Sequence, residues 1–345
     1  MLELLFTEVG KLSWVEKPAL KIQGEREAIV RPIASASCDL DRRLIAGTTP
    51  FKPVFAIGHE CVAEVLEVGS EVQRVRPGDL VSVPWKISCG ECMQCLAGRT
   101  ANCQGVQKYA AYGVPVGGQW GGLYSEEVRV PFADAMLVPL PEGLDPVAAA
   151  GASDNLTDAW VSASQPIASR KDPKVLIVGG TESLGILSTQ MAIAAGASEV
   201  DYYDVSDYRN QLAVDSGARV YDGPKEGLYE RYDVVVAATR SPDKLHTSLM
   251  ALAPGGHCSC IGIFFEDPKL PLFPMYLRGV TLSVGLCNVR SHIPKVLDLV
   301  HTGKCNPLIA TPEVVTWEDA PQALIAPLAK VVMVRPRLFA AQTQN

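Results

Sequence analysis

Residues 174–206, KVLIVGGTESLGILSTQMAIAAGASEVDYYDVS, decide the fold. After its lysine, Lys174–Val178 is wholly apolar, which suits a strand buried on both faces. A glycine-containing turn follows, then a helix through about Ala195, then a second strand over 200–203. Strand, helix and strand at this spacing make a βαβ unit, which joins parallel strands. The alternation continues with a strand over 233–237, a helix over 242–252 and a strand over 256–261. The pattern predicts an α/β, doubly wound parallel sheet.

The sequence on either side of this region has a different texture. Before it, runs such as EAIVRPIA, CVAEVLEVG and DLVSVPW alternate with Gly and Pro, which reads as short strands joined by turns. After it, SHIPKVLDLVHTGK has the spacing of an amphipathic helix ending at Gly303, and PEVVTW and AKVVMVRP are strand-like. Chain termini often lie close together, so the tail is expected to return to the first unit. The predicted division is a β-rich domain over 1–150 joined by 288–345, with the parallel-sheet domain over 151–287. The 345 residues are 48% hydrophobic and 20% charged, enough for two cores. The net charge of −7 argues against nucleic acid and anionic membranes as partners. The start, MLELLFTEVGKLSW, has no signal-peptide pattern, and no apolar run reaches membrane-spanning length, so a cytoplasmic location is expected. In that setting ten cysteines suggest thiol and metal chemistry rather than disulfides.

Cys89, Cys92, Cys95 and Cys103 form C-x2-C-x2-C-x7-C. Four thiolates so close together can close a tetrahedron around one zinc ion, and a closed site of this kind is structural. A zinc ribbon binding nucleic acid is the rival reading, but the surrounding residues carry few basic groups. Three further residues are ambiguous when taken singly. Cys38 in SASCDLD fits core filler, His59 in IGHEC fits a hydrogen-bonded structural group, and Asp154 in ASDNL fits a helix cap.

Taken together, these segments resemble the zinc-containing medium-chain dehydrogenase/reductase family of the alcohol dehydrogenase type. Residues 58–79, GHECVAEVLEVGSEVQRVRPGD, look like that family's zinc signature, and the four-cysteine lobe, dinucleotide fold and terminal KVVMVRP follow in order. The resemblance implies a GroES-like catalytic domain, a Rossmann domain and two zinc ions per chain. It implies that Cys38, His59 and Asp154 bind a catalytic zinc. Asp at the third position is similar to the glutathione-independent formaldehyde dehydrogenase branch. Glu60 matches a Glu that can approach the metal, and Asp41 a carboxylate that orients the ligand His. Trp85 matches an aromatic wall of the substrate pocket, with ordinary core packing as the alternative. The family usually places Ser or Thr two residues after the ligand Cys to start a proton relay, whereas this chain has Leu40.

The implied reaction is hydride transfer between NAD(H) and an alcohol–carbonyl pair, by a homo-oligomer with a tetramer favoured. The implied cofactor turn runs through Gly179, Gly180, Ser183, Leu184 and Gly185, with Glu182 where the middle glycine of G-x-G-x-x-G is expected. A helix starting near Ser183 would aim its first amides at a pyrophosphate, although a tight turn without ligand fits the same residues. Asp204, at the end of the second strand, can accept ribose hydroxyls and repel a 2′-phosphate, which predicts NAD(H). Arg209, in the following helix, leaves room for some NADP(H) use. Two rival functions stay open: a zinc-independent reductase of activated double bonds, and a binding protein without catalysis.

Overall fold

The computed structural model describes residues 1–311, 313–326 and 330–339. The chain forms two compact units. One holds Met1–Thr157, Cys287–His301 and the described residues from Thr311 onward, and the other holds Asp158–Leu286 and Thr302–Ala310.

The second unit is a six-stranded sheet, parallel at every pairing. Its spatial order is Arg219–Val220, Glu199–Tyr203, Lys174–Val178, Tyr232–Ala237, Leu252–Cys260, Thr281–Val284, the 3-2-1-4-5-6 order of a dinucleotide-binding fold. Lys174–Val178 is central and pairs on both sides, which explains why Val175–Val178 carry no polar residue. The helix Leu184–Ala194 is apolar around most of its circumference and is buried almost throughout. The helix expected over 242–252 stops at Met250, and Leu252 opens the next strand. Arg278 explains the early stop: its guanidinium donates to the carbonyls of Leu249, Met250 and Leu252, closing the helix end. Cys258 and Cys260 share one face of Leu252–Cys260 and pack in its core.

The first unit is built on a seven-stranded sheet, ordered Glu313–Thr316, Val331–Val334, Ala28–Ala36, Cys61–Val68, Leu80–Val83, Val138–Pro139, with Val128–Val130 also paired to Ala28–Ala36. Pro32 cannot donate to the ladder, and the register slips beside it. The tail strand Val331–Val334 pairs antiparallel with Ala28–Ala36, placing Lys330 beside Ser37. Buried Glu64 fixes the chain beyond by accepting from Arg337, Leu338 and Phe339. Among the described residues no helix is long and apolar enough to cross a membrane.

Candidate active site

Cys38 caps the helix Asp39–Ile45, and this cap sets the geometry around it. Its amide donates to Asp41 Oδ2 at 2.9 Å, while its Sγ accepts from the Leu40 amide. His59 precedes the strand Cys61–Val68, and Asp154 precedes the helix Asn155–Ala168. The structure brings the three together: one donor atom each from Cys38, His59, Glu60 and Asp154 lies within 4.8 Å of every other. Cys38 Sγ is 3.6 Å from Asp154 Oδ2, and His59 Nε2 is also 3.6 Å from it. Burial, followed by the carboxylates of Asp154, Glu60, Asp41 and Asp39, pushes the Cys38 thiol well up. A buried thiol, a buried imidazole, a buried carboxylate and a partly exposed one so close together are electrostatically unfavourable by themselves and suit a divalent cation.

The groups behind these donors are also ordered. His59 Nδ1 faces Asp41 Oδ1 at 3.4 Å, leaving Nε2 toward the cluster. Neither of those two facing atoms makes a regular hydrogen bond, although both are buried. Tyr124 donates to Asp41 Oδ2 at 2.6 Å. Its ring fills the space over Gly58, where a Cβ would lie 2.5 Å from it, so the residue before His59 must be glycine. Lys330 reaches Glu60 Oε2 at 2.8 Å and the Ser37 carbonyl at 2.7 Å. Leu40 packs into the neighbouring apolar cluster with Leu44 and Ile57.

Trp85 has its ring centroid 6.1 Å from that of His59. Beside it, Lys86 is 3% exposed, with its ammonium 5.1 Å from the Trp85 ring centroid. Burial lowers the Lys86 pKa to about 8.

The four cysteines form a second cluster with the same 4.8 Å limit. Cys103 Sγ lies 3.5 Å from Cys89 Sγ and 3.9 Å from Cys92 Sγ, too far for disulfides and near the ~3.8 Å edge of a tetrahedron with ~2.3 Å zinc–sulfur bonds. The amides of Cys92, Gln104 and Gly105 point at these sulfurs. The Gln104 amide leads in holding the Cys92 thiol down at about 6. Gly105 leaves room for Cys89, because a Cβ there would sit 2.6 Å from its sulfur.

In the parallel-sheet unit, the turn after Lys174–Val178 is tight. Gly180 has φ +148°. Thr181 bonds the Ala238 carbonyl and accepts from the Gly185 amide. Glu182 reaches toward Arg240, at 3.7 Å. The helix Leu184–Ala194 begins directly after Ser183, which holds the N-cap position without a side-chain capping bond. Tyr202 was not singled out by sequence reasoning. Its hydroxyl would be 2.2 Å from a Cβ on Gly179 and 3.1 Å from one on Gly185. Asp204 directly follows the strand Glu199–Tyr203, but its carboxylate is already engaged, by Arg209 Nε at 2.5 Å and Lys244 Nζ at 2.7 Å. Burial pushes Asp204 up, yet these two cations hold it below the ordinary value.

Comparison with known proteins matches two successive parts of the chain. The alcohol dehydrogenase GroES-like domain matches residues 24–142, and the zinc-binding dehydrogenase domain matches residues 183–302. A medium chain reductase/dehydrogenase of Acremonium sp is 30% identical over 71% of this chain and 88% of that protein. The chain belongs to the zinc-containing medium-chain dehydrogenase/reductase family. It is an oxidoreductase with a GroES-like and a Rossmann domain. Among solved structures, the alcohol dehydrogenase of Thermus sp. ATN1 is 28% identical, with a TM-score of 0.87 over 97% of this chain and 99% of that one. A zinc-binding dehydrogenase of Sinorhizobium meliloti 1021, solved bound to NADP, is 25% identical, with a TM-score of 0.82 over 97% and 99% of the two chains.

In this medium-chain dehydrogenase, sequence reasoning missed Tyr124, Lys330, Tyr202, Lys244 and Lys86. The nearest signal was for Lys330, a lone charge opening the apolar run VVMV.

Proposed function

We propose that this oxidoreductase is a zinc-dependent alcohol dehydrogenase that moves hydride between NAD(H) and an alcohol–carbonyl pair. The observation that carries the reading is the convergence of Cys38, His59 and Asp154, with Glu60, on one buried point. These residues fit a catalytic zinc with an open position, and Cys89, Cys92, Cys95 and Cys103 fit a structural one. When bound, the catalytic zinc supplies Lewis acidity, which makes an alkoxide accessible near neutral pH and polarises a carbonyl in the reverse direction.

The protein's own residues supply the rest. Asp41, steadied by Tyr124, holds the His59 ring with Nε2 toward the ligand cluster. Lys330 keeps Glu60 drawn to one side, which leaves Cys38, His59 and Asp154 as the working donors. Trp85 walls the pocket and limits substrate bulk. Leu40 has no hydroxyl, so the proton leaves by water, by Asp39 or by another group of the pocket. Gly179, Gly180, Ser183, Leu184 and Gly185 would hold the pyrophosphate, and Asp204 with Arg209 would meet the adenosine ribose, with NAD(H) favoured. The Asp donor points toward small aldehydes, formaldehyde among them.

A second copy is the expected partner, with a tetramer favoured. Leu272, Phe273, Tyr276 and Leu277, on the helix Leu272–Arg278, and Val284, on the edge strand Thr281–Val284, are each more than 60% exposed. The location expected is cytoplasmic, in keeping with ten free cysteines.

The test is metal analysis of purified protein together with a panel of alcohols and aldehydes followed at nicotinamide absorbance. Two zinc ions per chain and chelator-sensitive turnover are expected. One zinc or fewer, or turnover indifferent to chelators, would reject the reading. Light scattering showing only monomer would reject the oligomer.

A further inference from the structure

The carboxylate that directly follows Glu199–Tyr203 is covered by cations. The Asp204 side chain is 0% exposed, while those of Arg209 and Lys244 are 24% and 16% exposed. Oδ2 accepts from Arg209 Nε at 2.5 Å and Tyr202 Oη at 3.3 Å. Oδ1 accepts from Lys244 Nζ and the Val205 amide, both at 2.7 Å, and from Arg209 Nη2 at 3.3 Å. Lys244 makes a second bond, to the Gly179 carbonyl at 2.8 Å. It projects from the first turn of the helix Pro242–Met250 and is placed there by the Ser241 cap. One ammonium therefore ties together the segments that follow three neighbouring strands, at the carboxyl edge where an open parallel sheet takes its ligand.

The charges at this edge are the carboxylates of Asp204 and Glu182 against the cations of Arg209, Lys244 and Arg240, the last paired with Glu182, so one positive charge is in excess. A bare carboxylate here accepts a ribose diol and repels a 2′-phosphate. A carboxylate buried behind an ammonium and a guanidinium repels far less, and a ligand arriving from solvent meets the cations first. We propose that Lys244 sets the dinucleotide specificity of this chain. With Arg209 it forms a receptor for a 2′-phosphate, and by engaging Asp204 it narrows the preference for NAD(H) to a small margin. This inference rests on the reading that the protein binds a nicotinamide dinucleotide.

The test uses binding rather than turnover. NADH, NADPH, 5′-AMP and 2′,5′-ADP are titrated by calorimetry into the wild-type protein, Lys244→Met and Lys244→Arg. The two adenosine fragments differ only in the 2′-phosphate. In the wild type their dissociation constants are expected to lie within about tenfold of each other, since the pull of the two cations on a 2′-phosphate is largely offset by the Asp204 carboxylate they already engage. Lys244→Met should shift the ratio by about tenfold or more against 2′,5′-ADP and NADPH, the worth of one lost charge–charge contact. Lys244→Arg should keep the wild-type ratio. If the ratio in Lys244→Met equals the wild-type ratio, even with all four affinities reduced, Lys244 is only a structural tie and this inference fails alone. If the wild type binds neither NADH nor NADPH, the nicotinamide reading fails and this inference fails with it.

Discussion

Replacing Lys330 by Met tests how the candidate metal site is held. The Lys330 ammonium lies 2.8 Å from Glu60 Oε2, and the two side chains are 5% and 0% exposed. Met keeps most of the buried stem but removes the charge, leaving the Glu60 carboxylate in the interior. Breaking one side of a buried ion pair costs about 3–5 kcal/mol. The lost bond to the Ser37 carbonyl falls within that range rather than adding to it, because the same ammonium makes both contacts. Glu60→Gln leaves the ammonium with the Ser37 carbonyl, so a smaller loss is expected. The double variant removes both charges of the pair and should be more stable than the sum of the two losses implies, by about 2–3 kcal/mol. Urea unfolding of the zinc-loaded protein, followed by tryptophan fluorescence, reads this directly. Four of the five tryptophans (Trp14, Trp85, Trp120 and Trp317) lie in the unit that contains the pair, and only Trp160 lies in the other. A loss below ~1 kcal/mol in Lys330→Met, or strict additivity in the double variant, would show that water screens the pair and would refute the reasoning.

Gly179→Ala should destabilise the parallel-sheet unit by about 1–3 kcal/mol, because the new methyl would meet the Tyr202 hydroxyl at 2.2 Å; an unchanged melting temperature would show that Tyr202 moves aside freely. Tyr124→Phe removes the 2.6 Å bond to Asp41 and, acting on His59 only through Asp41, should weaken zinc binding by up to ~10-fold, the low end of the loss for a direct partner of a ligand His. Competition with a chromogenic chelator measures this, and equal affinity would count against the orienting role. Lys86 has a folded pKa of about 8, below its ordinary value of 10.5, so the unfolded chain binds more protons between those two pH values. Its contribution to stability should therefore rise as pH climbs from about 8 to 10.5 and be lost as pH falls back through 8. Denaturation curves of wild type and Lys86→Met across that window should diverge accordingly, and parallel curves would place the amine in water.

What was legible in the sequence was local, or rested on residue types with few alternative uses. Lys174–Val178 reads as a central strand because nothing polar interrupts it, and it is one. The four cysteines read as a cluster because fifteen residues of chain hold them near one another whatever the fold does, and their sulfurs do converge. Lys330 lies 270 residues from Glu60, and Tyr124 lies 83 from Asp41. An ordinary Lys or Tyr at such separations carries no local pattern, and only the pairing of Val331–Val334 with Ala28–Ala36 brings Lys330 to its partner. The helix end at Met250 was hidden for the same reason, since the Arg278 that closes it lies 28 residues away.

The glycine-rich turn shows how a motif can be present for a reason its consensus does not state. Read as a phosphate loop, 179–185 looks damaged, because Glu182 replaces the middle glycine. In the structure, Gly179 is also a packing requirement, since it leaves room for the hydroxyl of Tyr202, and Gly185 sits close against the same hydroxyl. Glu182 is accommodated because its side chain turns toward Arg240. Tyr202 in turn donates to Asp204, so the two glycines, the tyrosine and the carboxylate form one packed unit, with Lys244 closing it from the next helix. A change at any one of these positions should therefore be felt at the others, and double-mutant cycles between Gly179→Ala and Lys244→Met should be non-additive. Additive losses would mean that turn and clamp are merely neighbours, and the specificity argued for Lys244 would then have to come from its charge alone.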